Sequence, residues 1–287
     1  MVSYFYSMQQ KGPIGIFDSG YGGLTILKEI TQVLPEYSYL YLGDNARAPY
    51  GTRSFQSVYD YTLQCVQWLF QQNCPLVILA CNTASAKALR NIQQNFLPKY
   101  YPNKRVLGVI RPTSETIGNY TTTKQIGILA TNGTVQSNSY VLEISKFFPE
   151  VKVFQQACPM WVPLIENNEH TAPGANYFVE KYIHQLITQS TAIDTILLGC
   201  THYPLLLDKI KTVIPTNINI ITQGGIVATS LQQYLYRHPQ IAMHCLQQIE
   251  TPNSFYTTDA TEIFDVHATQ FFGTSIQSKQ VQLITNN

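Results

Sequence analysis

Cys81 ends the run Val77-Ile78-Leu79-Ala80-Cys81-Asn82-Thr83, and Cys200 ends Ile196-Leu197-Leu198-Gly199-Cys200-Thr201-His202. Each segment is an apolar stretch of strand length, a small residue, a thiol, and then polar residues suited to opening a helix. Asn82-Thr83 follow one thiol; Thr201-His202-Tyr203-Pro204 follow the other. A cysteine behind a single apolar strand is more often core filling than chemistry. Two such cysteines on matched scaffolds can face one small substrate from opposite sides. That arrangement suits a reaction that takes a proton from one face of a carbon and returns one to the other. A thiol at a helix start is expected to titrate below its free value of about 8.5, within reach of acid–base work near neutral pH.

Other residues could serve the same chemistry. Asp18-Ser19-Gly20-Tyr21-Gly22-Gly23 follows an apolar run and precedes a predicted helix, so its amides can approach an anion. It is not the dinucleotide fingerprint, because position 25 is threonine where a third glycine is required. Asp18 is either a helix-capping acid or a group that orients a substrate ammonium or assists a thiol. The loop Gly43 to Gly51 offers Tyr50 and the Gly51 amide. Thr131 and Thr134 place two hydroxyls at the position that corresponds to Asp18-Ser19 in the other half. Glu166 ends the apolar segment Cys158 to Glu166, where burial beside a thiol would raise its pKa. His202, two residues after Cys200, is placed to act as acid, base or orienter. The remaining histidines show no ligand spacing, and no metal is expected. Cys65, Cys74, Cys158 and Cys245 lack the helix-opening context and are read as inert.

The elements that must position these residues also occur twice. Ile14-Gly15-Ile16-Phe17 matches Ile126-Gly127-Ile128-Leu129, Tyr39 to Leu42 matches Val151 to Phe154, and Val106 to Ile110 matches Ile218 to Ile221. Helical patterns run over Leu24–Val33, Phe55–Gln71 and Ala84–Phe96, then over Asn138–Phe148, Asn176–Gln189 and Pro204–Val213. Strand–helix alternation predicts an α/β fold of two similar, doubly wound parallel-sheet domains. Pseudo-twofold symmetry would relate them, and the active site would lie in the cleft between strand carboxyl ends. The first domain is expected over 12–108 plus 222–287, the second over 109–221, with 1–11 a flexible extension. Arg111-Pro112 is expected to break the pattern at the join.

Composition narrows the class. At 287 residues with 45% hydrophobic content, the chain can bury a core in each of two domains. Eighteen basic against 17 acidic residues, a formal charge of +1, argue against a nucleic-acid binder. No apolar run reaches a membrane span, and six cysteines without a C-x-x-C pair fit reduced thiols in a cytoplasmic protein. No lysine sits where a Schiff base would need it.

Six segments, IGIFDSGYGGLTIL, YLGDNARAPYGTRS, LACNTASAKAL, GILAT-x-GTV, CPMWVPLIE and LLGCTHYPLL, closely resemble the bacterial glutamate racemases, in family order, over roughly residues 12 to 225. The resemblance implies two α/β domains facing each other, and racemisation of glutamate with no cofactor. It also implies that the D-glutamate produced enters peptidoglycan synthesis. Carried over, Cys81 takes the proton from D-glutamate and Cys200 from L-glutamate, supported by Asp18, Glu166 and His202. Asp18, Ser19, Tyr50, Gly51, Asn82, Thr83, Thr201 and His202 match substrate-contact positions. Related aspartate racemases tend to carry glutamate where His202 stands, which favours the five-carbon substrate. The chain departs from the family pattern at Arg111 and at Thr222-Gln223-Gly224, both at predicted domain crossings. A homodimer is compatible with the sequence, and neither nucleic acid nor membrane is needed. The alternatives are racemisation of aspartate or a related acid or hydantoin, a non-catalytic ligand-binding relative, and a redox protein using the thiols as a disulfide.

Overall fold

Ten short strands and the helices between them build two parallel sheets in the computed structural model, which describes residues 11–247 and 253–283. The first half contributes β1 (Ile14–Asp18), β2 (Tyr39–Gly43), β3 (Leu76–Leu79) and β4 (Arg105–Gly108). The second contributes β5 (Gln125–Ala130), β6 (Lys152–Ala157), β7 (Thr195–Gly199) and β8 (Asn219–Ile221). The chain then returns to the first sheet as β9 (Ser254–Thr257) and β10 (Ser278–Gln280). The larger sheet has the order β10-β9-β2-β1-β3-β4, the smaller β6-β5-β7-β8. Four strands of the first therefore repeat the order of the second. Every residue of β1, β2, β3 and β7 is buried, because helices cover both faces of a parallel sheet. That explains why these strands read as nearly continuous apolar runs, with Asp18 closing β1 and Thr195 opening β7.

Of the residues expected as an extension at 1–11, only Lys11 lies within the described part of the chain. Helix Phe55–Gln71 matches its sequence pattern at both ends. Ser54 caps it by accepting from the Ser57 amide at 3.1 Å, and Val58, Thr62, Cys65, Val66, Leu69 and Phe70 form its buried stripe. Each large apolar side chain on such a stripe contributes about 1.5–3 kcal/mol.

Four expectations need correction. The helix predicted over Ala84–Phe96 is interrupted: Asn82–Lys87 and Leu89–Asn91 are α-helical, and Ile92–Phe96 forms a π-helical turn. Pro98, which lacks an amide hydrogen and crowds the carbonyl four residues back, sits just beyond the widened turn. The strand predicted over Val106–Ile110 ends at Gly108, and Arg111-Pro112 belong to helix Ile110–Ser114 instead of breaking the pattern. Pro112 falls in the first turn, where no amide hydrogen is needed. Strand β6 runs longer than its apolar core, to Ala157, because it is an edge strand with half-exposed side chains.

One core cluster spans both halves, joining Leu24, Ile26 and Leu27 to Trp161, Tyr203 and Leu206, and to Val227 and Phe264 of the returning chain. Helix Gly23–Val33 packs against helix Gly224–Arg237. Among the described residues no helix is long and apolar enough to cross a membrane.

Candidate active site

The loops after β1, β2 and β3 of one sheet face those after β5, β6 and β7 of the other around a cavity of about 80 Å³. Both Cys81 and Cys200 line it. The placement follows from parallel topology, which sends every strand's carboxyl end, and the loop after it, to one edge of the sheet. From the first sheet come Ser19, Tyr50, Gly51, Asn82 and Thr83, and from the second Thr131, Glu166, Thr201 and His202.

Cys81 is the cap residue of helix Asn82–Lys87. Its sulfur accepts from the Ala84 amide at 3.4 Å and lies 3.5 Å from Ser19 Oγ, to which it donates. The expected lowering of its pKa does not occur. Burial, and then the neighbouring Asp18 carboxylate, push the thiol up to about 12. A six-residue helix offers its one amide, too little to offset the loss of solvent around a charged sulfur.

Cys200 does not open an α-helix. The chain after it makes a tight turn, with the Tyr203 amide on the Cys200 carbonyl at 3.2 Å, then a 3₁₀ turn Tyr203–Leu206 before helix Leu207–Val213. Pro204 is the second residue of that turn. The Cys200 sulfur lies 3.9 Å from His202 Nδ1, and His202 Nε2 lies 3.0 Å from Glu166 Oε1. Burial alone would lower the His202 pKa, but hydrogen bonding to Cys200 and Glu166 outweighs it and holds the imidazole well above its usual value. Glu166, carried by helix Trp161–Glu166, is 21% exposed, so it keeps the solvent contact that deep burial would remove. The three groups form a continuous path from sulfur to carboxylate.

Two predicted site residues lie behind the cavity wall. Asp18 is buried under the Ser19–Gly20 turn, accepting from the Gly20 amide at 3.0 Å through Oδ2, while Oδ1 has no hydrogen-bond partner. Burial raises its pKa, an effect that the nearby His202 opposes. Thr134 is buried beneath Thr131. Thr83 and Thr131 hydroxyls meet across the cleft at 2.9 Å, and Thr131 lies 3.1 Å from Thr134. Tyr50 lines the cavity, yet its hydroxyl is committed to Asp44, which also accepts from Arg47 Nε at 2.7 Å. Tyr50 therefore serves as wall, with no free hydroxyl for a ligand.

Pro49, Thr52, Asn132, Cys158, Pro159, Val162 and Pro163 also line the cavity, beyond the site residues expected from the sequence. Pro159, Val162, Pro163 and Glu166 recur at one-face helical spacing, a signal that could have placed all four together. Cys158, read as inert, is at the wall, and burial pushes its thiol well up. None of the described lining residues is Lys or Arg. Among the described residues, no group of three or more His, Cys, Asp or Glu could hold a metal ion.

Glycine is required where the turn after β1 meets Thr201 and His202 of the other half. A Cβ on Gly22 would stand 2.3 Å from Thr201 Oγ1 and 2.4 Å from His202 Nδ1. Gly22→Ala is expected to lower turnover at least tenfold while keeping the melting temperature within a few degrees, since small misplacements of reacting groups are costly. Steady-state rates alongside a thermal melt check this; unchanged rates would show that the His202 loop moves aside freely.

Two sheets of matched strand order, closing on a cavity lined by Cys81 and Cys200 from equivalent strand ends, define a class of duplicated α/β proteins with paired thiols. The comparisons agree with this geometry. The family model Asp/Glu/Hydantoin racemase matches residues 23–229. A glutamate racemase of Roseobacter denitrificans is 38% identical over 274 residues, covering 92% of this chain and 98% of that protein. One from Sulfurihydrogenibium is 39% identical over 77% of this chain and 82% of its own length. The crystal structure of a glutamate racemase isoform from Bacillus anthracis superposes with a TM-score of 0.85 at 32% identity, covering 95% of this chain and 98% of that one. That of Francisella tularensis glutamate racemase in complex with D-glutamate gives 0.83 at 30%, with the same coverage. The chain belongs to the Asp/Glu/hydantoin racemase family, and within it to the glutamate racemases.

Proposed function

We propose that this protein interconverts L- and D-glutamate by moving the α-proton between two thiols, and that the D-glutamate supplies peptidoglycan synthesis in the cytoplasm. The observation that carries the mechanism is that Cys81 and Cys200, at the ends of equivalent strands β3 and β7, line one cavity from opposite sheets.

The substrate is a dianion in its carboxylates, and the described cavity wall offers it no Lys or Arg. Hydroxyls of Ser19, Thr83, Thr131 and Thr201, the Asn82 carboxamide and backbone amides at these loop ends are the groups available to hold it. Fixed dipoles of this kind stabilise charge that builds on the α-carboxylate as the C–H bond breaks. The Cys81 thiol keeps its proton at neutral pH, so it is ready to donate. With L-glutamate, the Cys200 sulfur takes the α-proton as its thiolate, and Cys81 delivers its own proton to the opposite face. One C–H bond breaks and one forms, and the two sulfurs exchange protonation states. With D-glutamate the roles reverse. His202, between Cys200 and Glu166, is positioned to move a proton to or from the Cys200 sulfur between turnovers. Asp18 acts on Cys81 electrostatically from behind the wall.

The test is incubation with L-glutamate in deuterium oxide without added cofactor. The expected result is loss of optical rotation together with one deuterium at the α-carbon of the D-glutamate formed. Retention of the α-hydrogen in the D product, or turnover of aspartate in preference to glutamate, would overturn the reading.

A further inference from the structure

A buried set of polar side chains joins the two halves beside the cavity. Asn82, which lines the cavity next to Cys81, donates from Nδ2 to Gln223 Oε1 at 2.7 Å and accepts on Oδ1 from the Tyr140 hydroxyl at 2.6 Å. Gln223 Nε2 in turn lies 2.8 Å from the Tyr140 oxygen, 3.0 Å from Thr113 Oγ1 and 3.3 Å from the Val109 carbonyl, with donor geometry to each. Gln223 is 3% exposed, Asn82 2%, and Tyr140 and Thr113 not at all. These residues come from four places: the loop after β3, the crossing after β4, helix Ser139–Phe147 of the second half, and the crossing after β8. Gln223 therefore sits at one domain crossing, bonds to the other, and reaches the cavity wall through a single side chain.

We propose that Gln223 is a positioning residue for substrate binding, holding the Asn82 carboxamide in the one orientation that presents its remaining hydrogen and lone pair to the cavity. The proposal rests on the glutamate racemase reading. Buried carboxamides leave little freedom, because an unpaired buried polar atom is costly, so Asn82 has one low-energy orientation while Gln223 and Tyr140 are both present. Without Gln223, Asn82 can rotate toward other partners, and the substrate must reorder it. The bond is the same before and during proton transfer, so its loss weakens ground-state and transition-state binding alike. KM should then rise with kcat little changed, whereas a residue that only stabilises the fold would leave KM alone.

The experiment compares the wild-type protein with Gln223→Leu, Tyr140→Phe, Asn82→Ala and the Asn82→Ala/Gln223→Leu double variant. It measures kcat and KM for both enantiomers, the Kd of D-glutamate by calorimetry, and thermal melting. Gln223→Leu is expected to raise KM and Kd about tenfold while kcat stays within threefold, and Tyr140→Phe, which removes one hydroxyl, should shift both in the same direction. In the Asn82→Ala background, Gln223→Leu should change Kd less than twofold. A lower melting temperature with unchanged KM and Kd, or effects of the two substitutions that multiply, would overturn the proposal. Should Gln223→Leu fail to fold, Tyr140→Phe decides by the same criteria. A wild-type protein that binds D-glutamate without racemising it would sink the functional reading and leave the Kd comparison to judge Gln223; one that binds no glutamate would end both.

Discussion

Cys81→Ala should racemise glutamate at least a thousandfold more slowly than the wild-type protein, and Cys200→Ala should do the same. General acid–base groups contribute about 10²–10⁴-fold each, and in the proposed mechanism each thiol is the acid in one direction and the base in the other. The loss must be equal in both directions as kcat/KM, because enantiomers have the same free energy and the equilibrium constant is one. Hydrogen exchange need not be equal. In Cys81→Ala, the Cys200 sulfur still faces the proton of L-glutamate and can remove and return it. This variant should wash deuterium into L-glutamate without inverting it, and leave D-glutamate unlabelled. Cys200→Ala should show the mirror pattern. Proton NMR of each pure enantiomer in deuterium oxide, followed by chiral chromatography, reads both quantities. Both sulfurs are buried, and alanine removes one atom, so a thermal melt near that of the wild type is expected for each. Racemisation at the normal rate by either variant would end the two-thiol mechanism. Labelling of the wrong enantiomer would keep the mechanism and reverse the assignment of the two faces.

Asp18→Asn should make the protein more stable and much less active. Asp18 Oδ1 is buried without a hydrogen-bond partner, and burial raises the carboxyl pKa above its ordinary 3.8. A raised folded-state pKa means that the folded protein binds the proton more tightly than the unfolded chain. The contribution to stability is therefore full below about pH 3.8, the unfolded value, and is lost as pH rises through the folded value. At neutral pH the buried carboxylate is a cost of about 1–3 kcal/mol, in the range of an unsatisfied buried polar group. Asparagine carries no such charge, so the variant should melt a few degrees higher at pH 8, and its advantage should shrink as pH falls toward 4. Activity should fall about a hundredfold, because the carboxylate that sets the potential at Cys81 and balances His202 is gone. The same deletion should lower the pKa of the Cys81 thiol, which alkylation rates as a function of pH would show. A variant less stable than the wild type at pH 8 would mean that Oδ1 has a partner in solution, such as a bound water.

Together these variants separate the two roles of burial at this site. The water-poor surroundings that make Cys81 hard to ionise also strengthen every dipole aimed at the substrate. In the proposed mechanism, the stability expected to be lost at Asp18 accompanies a charge placed beside Cys81 for chemistry.

Much of this was already visible in the chain. Period and composition identified the parallel strands, since a strand covered on both faces is buried at every position and so is mostly apolar, as β1, β3 and β7 are apart from Asp18 and Thr195 at their ends. The duplication indicated two similar sheets and a helical pattern ran over Phe55–Gln71, while the strand order and the Ser54 cap are seen in the structure. Helix ends that depend on packing were less legible: the π-helical turn at Ile92–Phe96 and the helix through Arg111-Pro112 answer to neighbours that local pattern does not contain.

The amino-acid sequence by itself determined which residues carry ionisable and nucleophilic atoms, and that two thiols end equivalent strands, because strand period and carboxyl-end loops are local properties. Only the tertiary structure decided how those atoms behave. Burial moved the Cys81 thiol up where the helix start alone would move it down, set Asp18 and Thr134 behind the wall, turned the Tyr50 hydroxyl to Asp44, and brought Gln223 to Asn82 across 141 positions of chain. Solvent exclusion and electrostatic contact depend on what folds against a residue in space, and those partners lie far from it in sequence.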